Sequence, residues 1–465
     1  MLEYEKLGYG SGHKKYAMKL LVFAHTPPPH HGQSYMVELM LAGFGGDQHK
    51  DRLEGASSRP GGKFGITCYH VNARLSRNLE DIGEFRMQKV LLLLGYCLRA
   101  IWCRFRYGVT TLYYVPSPGK RSALVRDWLV MQLCRPFFRK VVLHWHAAGL
   151  AKWLETVALK RTRAITYRLM KGVDLSVVLS NCNAPDAEKL WPRQIKVVPN
   201  GIPDPCPDFQ SAVLPRRLAR IAARKKLLAG QSLTPADLDN TGGDPQVFKV
   251  LFLAHCTRDK GLFDTMDGVA LANQKLSRAR SPIRLHLTVA GAFLNPREHV
   301  EFAERLAKIH AQPEETASEQ WADNAVPDQP SGSWISYTGF VNGAAKSRIF
   351  AENDCFCFPS YYYAESFGLV IVEAMAFGMS IVASRWRSIP EVLPPDYAGL
   401  VSPRSPQQVA GALLAALSQS SAELLRERFV KNFTVEQYLA GLAQAIQSVE
   451  EPAELSARAP VPCAS

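Results

Sequence analysis

The sequence predicts an α/β fold of two doubly wound domains facing across a cleft, and three observations predict it. At 465 residues the chain is too long for one ordinary core and suits two domains of about 200 residues each. Short apolar runs alternate with helical patterns through both halves, the pattern of parallel sheets covered by helices. A stretch of different character, from about 204 to 243, separates the two series; it mixes prolines, polar turn residues and a basic helix-like run opening at Arg216.

The elements follow in order. A tail over 1–18 precedes the first strand, the run KLLVFAH opening at Lys19, suited to a fully buried strand. It ends in a proline-rich loop carrying Gly32 and Gln33, and a helical pattern through Tyr35, Met36, Leu39 and Met40 follows. Strand, loop and helix in that order open a doubly wound sheet, whose ligands sit beyond the carboxyl ends of the strands. Further strands are expected at 66–71, 111–115, 141–146, 175–179 and 195–198, before a turn at Asn200-Gly201. This places the N-terminal domain at 19–203 and a linker enlarged by an insertion at 204–247. The second series has strands opening at Phe248 and at 285–291, 334–339, 355–359 and 381–383, giving a C-terminal domain over 248–434. A surface loop is expected at 312–333, a C-terminal helix at 435–449 and a disordered tail at 450–465.

Composition bounds the partners. An apolar fraction of 47% is ordinary for a globular chain. Ten scattered cysteines form no CxxC pair, so reduced and mostly buried thiols are expected, and no metal. No stretch is convincing as a membrane span: the most apolar, Val90 to Cys103, is too short and contains Arg99. No apolar signal core opens the chain, and a cytoplasmic protein is expected. The net charge of +13 is concentrated: 86–171 holds 17 Lys and Arg against two acids, Asp127 and Glu155. Apolar residues are interleaved with those charges, a pattern that attracts anionic membrane lipids, nucleic acid or phosphorylated substrates. No nucleic-acid module accompanies it, so nucleic acid is set aside. An anionic membrane surface remains as a partner, with peripheral attachment at the inner membrane face.

The strongest chemical signal is the run FPSYYYAESFGLVIVEAMAFG opening at Phe358. A strand ends, a loop carries Glu365, Ser366, Phe367 and Gly368, and a helix then runs through Glu373. Amides at such a helix start can hold a diphosphate, with Gly368 allowing close backbone approach. Two carboxylates eight positions apart can bracket those phosphates, one on a sugar and one on a ribose diol. In the run LFLAHCTRDKGL opening at Leu251, Lys260 precedes a helix and can neutralise a leaving diphosphate. In VVLHWHAAGL opening at Val141, His144 and His146 project to one side, being two apart.

These motifs resemble the retaining glycosyltransferases of the GT-B class called family 4, over nearly all of the chain from about Lys19 to Val449. The resemblance implies the GT-B fold, two doubly wound Rossmann-like domains facing across a cleft, with acceptor in the first and nucleotide-sugar donor in the second. It places Glu365 on the donor sugar, the backbone of Ser366, Phe367, Gly368, Leu369 and Val370 on its phosphates, and Glu373 on its ribose. It gives His146 to the donor's sugar across the cleft and Gly32 and Gln33 to the diphosphate or acceptor. Phe340, in the run GFV before Lys346, falls in the loop that cradles the base. Where the family has a Gly-Arg pair this chain reads Ala254-His255, leaving His255, or Arg258 from the loop, to take the arginine's place. The implied reaction moves a sugar from a nucleotide-diphosphate sugar to an acceptor hydroxyl with retention, without cofactor, metal or covalent enzyme intermediate. A saccharide or lipid-linked saccharide, a precursor in polysaccharide biosynthesis of the cell envelope, is the expected acceptor. A catalytically weak or silent nucleotide-sugar-binding protein and a GT-B sugar-nucleotide epimerase stay open. A dinucleotide-dependent dehydrogenase is disfavoured, since no strand is followed by GxGxxG.

Overall fold

The computed structural model describes residues 18–28, 32–49, 63–75, 87–310 and 334–450. The expected N-terminal tail, the surface loop at 312–333 and the tail beyond 450 lie outside the described residues. Strands β1 (Met18–Ala24), β2 (Ile66–Asn72), β3 (Thr111–Tyr114), β4 (Lys140–His144), β5 (Leu175–Val178) and β6 (Gln194–Val197) form one parallel sheet, ordered β2-β1-β3-β4-β5-β6. Strands β7 (Val247–Leu253), β8 (Arg284–Ala290), β9 (Ile335–Gly339), β10 (Cys355–Phe358), β11 (Ser380–Ser384) and β12 (Leu400–Val401) form the other, ordered β12-β11-β10-β7-β8-β9. Strands such as β10, CFCF, are buried at every position, as a parallel sheet covered on both faces requires. Strand β12 was not anticipated, because two residues are too few to carry a period.

The strand orders locate the clefts. In each sheet the order reverses once, between β1 and β3 and between β7 and β10. At such a point two neighbouring loops leave in opposite directions and open a crevice above the carboxyl ends. The loops after β7 and β10 are those that carry Lys260 and Glu365.

Within the 204–247 segment, expected as a linker enlarged by an insertion, the chain is anchored. Helix Leu214–Leu228 is built into the second domain by three buried arginines. Arg217 donates to the carbonyls of Phe377, Asn353 and Phe350, while Arg220 and Arg224 both reach Asp354. The spacing of three and four residues puts all three guanidinium groups on one helix face.

The chain then returns. Helix Val435–Gln447 packs Tyr438, Leu442 and Ile446 against Met36 and Met40 of the first domain. The two crossings run side by side, with Ile202 N bonded to Phe433 O and Val435 N to Ile202 O, both at 2.9 Å. A Cβ at Gly201 would lie 2.1 Å from Thr434 O, so this contact requires glycine.

Candidate active site

The site is built from the loops after β7 and β10. After β10 the chain turns through 359–368, and Gly368 enters helix Leu369–Ala376 at φ 81°, a left-handed conformation that glycine adopts without strain. After β7, Gly261 (φ 85°) ends the short turn Arg258–Lys260; a Cβ there would meet Pro359 O at 2.6 Å. This close approach brings the two loops together.

Lys260 and Glu365 thereby meet. Lys260 Nζ lies 2.7 Å from Glu365 Oε2, which also accepts from Ser360 Oγ at 3.2 Å. Glu365 is buried, and the lysine head lies over the Tyr362 ring at 4.5 Å. Glu373 stands on the helix itself, its Oε1 bonded to Lys346 Nζ at 2.6 Å. Its Oε2 is buried and has no partner among the described residues. Each carboxylate therefore faces a lysine from a different element, on either side of the helix start.

The first domain supplies the opposite wall. Ser366 Oγ donates to His146 O at 2.7 Å, and Asn183 Nδ2 donates to Ser366 O at the same distance. His146 stands two residues beyond the end of β4, and its ring lies 4.2 Å from that of His144. His144 is fully buried, with Nδ1 2.5 Å from Tyr113 Oη. Burial, helped by the neighbouring His146, holds its pKa well below the usual histidine range. His144 is thus a core residue beside the site. Gly32 opens helix Gly32–Gly43, and a Cβ on it would sit 3.3 Å from Leu369 Cδ1, so the start of this helix abuts the start of helix Leu369–Ala376. Gln33 beside it is half-buried.

Other expected residues divide. His255 is half-buried, and burial together with the charge of Lys260 pushes its pKa down. Arg258 is corrected: it does not reach the Lys260–Glu365 pair. Its guanidinium binds Glu301 at 2.6 and 2.5 Å and lies over Phe263. It lines a separate groove of about 690 Å³ with Asp264, Glu298, Tyr361 and Arg404. Phe340 is exposed at the end of β9. Phe367 is buried against Phe433, leaving only its backbone for a ligand, while Leu369 and Val370 lie half-buried in the first turn of the helix.

Asn183 was missed, although a polar cluster at 180–183 directly after a strand sits where ligands of such sheets bind. The pairing of Lys346 with Glu373 was also missed, because contacts across 27 residues leave no local spacing to read.

The family described as Glycosyl transferases group 1 matches residues 244–435, which include Lys260, Glu365 and Glu373. The matched segment is similar to that family over the whole second domain. The chain is 37% identical over 89 residues to an O-antigen chain mannosyltransferase B of Escherichia coli, covering 19% of this chain and 22% of that protein. It is 35% identical over 98 residues to a phosphatidyl-myo-inositol mannosyltransferase of Mycobacterium tuberculosis, covering 21% and 26%. The chain thus spans about a quarter or less of the length of these relatives. Whole-chain likeness comes from solved structures. Anabaena HepE, crystallised with UDP and glucose, superposes with a TM-score of 0.55 at 16% identity, covering 92% of this chain and 99% of that one. A sucrose-phosphate synthase from Thermosynechococcus elongatus gives 0.57 at 16% identity, covering 93% and 99%. Both share the two-domain GT-B fold of this chain.

Proposed function

We propose that the protein transfers a sugar from a nucleotide-diphosphate sugar to an acceptor hydroxyl, with retention at the anomeric carbon. The observation that carries this is the placement of Glu365 and Glu373 on either side of the amino end of helix Leu369–Ala376, each beside a lysine. That helix end attracts a diphosphate through its amides and dipole. Glu373 Oε2, buried without a partner, suits a ribose hydroxyl donor. Lys260, paired with Glu365, turns to the leaving diphosphate when the donor enters and Glu365 takes the sugar's hydroxyls. His146 faces the sugar from the other wall, and His255 stands beside Lys260 in the family's arginine position. No metal ion and no covalent enzyme intermediate take part; the departing phosphate accepts the acceptor's proton. Domain closure excludes water and aligns acceptor with leaving group.

The UDP bound by Anabaena HepE and the mannosyl transfer named for the curated relatives guide the choice of donors to test. The acceptor is a lipid-linked or polysaccharide precursor presented at an anionic membrane face, a reading supported by the basic surface of the first domain.

Incubation with a panel of UDP- and GDP-hexoses and a lipid-linked saccharide should release nucleotide with one donor. Glu365→Gln should lower that release about a hundredfold or more in assays run well below its thermal midpoint, which loss of the Lys260 partner also lowers. Retention is read by NMR of the product's anomeric proton. Wild-type turnover in Glu365→Gln would sink the assignment. Ala254 and His255 favour a second reading, a silent sugar-nucleotide binder; calorimetric binding without nucleotide release would support it.

A further inference from the structure

We infer that the outer face of helix Met87–Tyr107 is the membrane-docking element, lying flat in the headgroup layer of an anionic bilayer. The inference rests on the membrane-facing reading above and assigns it to one helix. This helix is apolar on two opposite faces. Leu93, Cys97, Ala100 and Cys103 are buried in the first domain's core. On the other side Leu91 is 66% exposed, Leu98 68%, Trp102 47% and Phe105 68%. Their spacings of seven, four and three residues place all four on one stripe, opposite the core stripe. From Leu91 to Phe105 it runs about 21 Å.

The surroundings select the occupant. Arg99 and Arg106 are exposed beside the stripe. Phe137, also exposed, packs edge-on against Phe105, and Arg104 Nε donates to Phe137 O at 2.8 Å. Exposed Arg139 follows two residues later. The segment's two acids do not offset these cations. Asp127 is buried and bonded to Arg126, Tyr114 and Ser117, and Glu155 is paired with Lys189. A second copy of the chain docking symmetrically on this face would set arginine against arginine. Nucleic acid would meet the charges but leave the Leu91, Leu98 and Phe105 side chains in water. An anionic bilayer meets both demands: leucine and aromatic side chains enter the acyl boundary, and arginines reach lipid phosphates at its surface. No described helix is long and apolar enough to cross the membrane, so the contact lies in the plane.

The test uses the full chain and sedimentation with vesicles of phosphatidylcholine alone or containing phosphatidylglycerol. Binding is expected on the anionic vesicles and should weaken as salt rises. Leu98→Ser with Phe105→Ser should cut the partition coefficient about tenfold or more on the same vesicles. Arg99→Glu with Arg106→Glu should remove the preference for anionic lipid. All four residues are exposed, so both double variants should keep the wild-type thermal midpoint. Both should also keep wild-type nucleotide binding, which separates failure of docking from failure of the transferase reading. Wild-type protein that ignores anionic vesicles, vesicle binding unchanged in both variants, or a dimer in sedimentation velocity that the serine pair dissolves would each overturn the inference.

Discussion

Lys260 and Glu365 neutralise each other at 2.7 Å in a largely buried setting, so neither can be removed without exposing the other's charge to a poor solvent. Lys260→Met should therefore destabilise the fold by roughly 3 kcal/mol, read as a lower thermal midpoint. It should also weaken nucleotide-diphosphate affinity by more than about tenfold, since the cation facing the phosphates is gone. An unchanged affinity in calorimetry would remove Lys260 from the donor site. His144 makes a second prediction at this scale. Its folded-state pKa is depressed, first by burial and then by His146. The unfolded chain binds a proton below about pH 6.5, where the folded state still refuses it. This contribution is therefore full above pH 6.5 and is lost as the pH falls toward the folded pKa. His144→Gln keeps an acceptor for Tyr113 and should flatten the acid-side fall in urea midpoint, by at most about 1.4 kcal/mol per pH unit. Equal slopes in both proteins would refute it.

At the scale of elements, the strands were legible because a parallel strand buried on both faces is written as a continuous apolar run, as in β1 and β10. The Glu365 loop was legible because its motif is contiguous. Helix Leu214–Leu228 was readable as a helix but not as part of the second domain. Its arginines look like a solvated basic face until Asp354 and a set of carbonyls, supplied more than 100 residues later, are brought to them. Arg258 shows the reverse: a cation at a plausible distance in sequence whose partner, Glu301, lies on another helix. Burial pushes the Asp354 carboxyl up, but Arg224 and Arg220 outweigh it and hold the pKa low. Asp354→Ala should then cost about 3–5 kcal/mol, because two buried guanidinium groups lose their counter-charge. Denaturant titration reads this directly; a cost below about 1 kcal/mol would mean that carbonyls alone hold the helix.

The whole molecule is a pair of domains whose site is complete only when both contribute, and polar contacts bridge them beside it. Glu391, at helix Ile389–Val392 of the second domain, accepts from Asn181 N at 2.8 Å, Asn181 Nδ2 at 3.2 Å and Cys182 N at 2.7 Å in the first. Two residues on, Asn183 holds Ser366 O, and Ser366 in turn holds His146 O. One patch thus latches the domains and sets the register between His146 and the Glu365 loop. The Glu391 bonds are solvent-exposed, so they compete with water and together contribute on the order of 1 kcal/mol. That is too little to unfold either domain, yet enough to change an open–closed ratio several-fold. Glu391→Ala should therefore leave the thermal midpoint nearly unchanged, enlarge the radius of gyration in solution scattering, and raise the donor KM several-fold. Asn183→Ala, which removes the first domain's bond to Ser366 O, should lower kcat more than it raises KM. Superimposable scattering curves and unaltered kinetics in Glu391→Ala would show that the hinge crossings at Ile202 and Thr434 alone set the closed geometry.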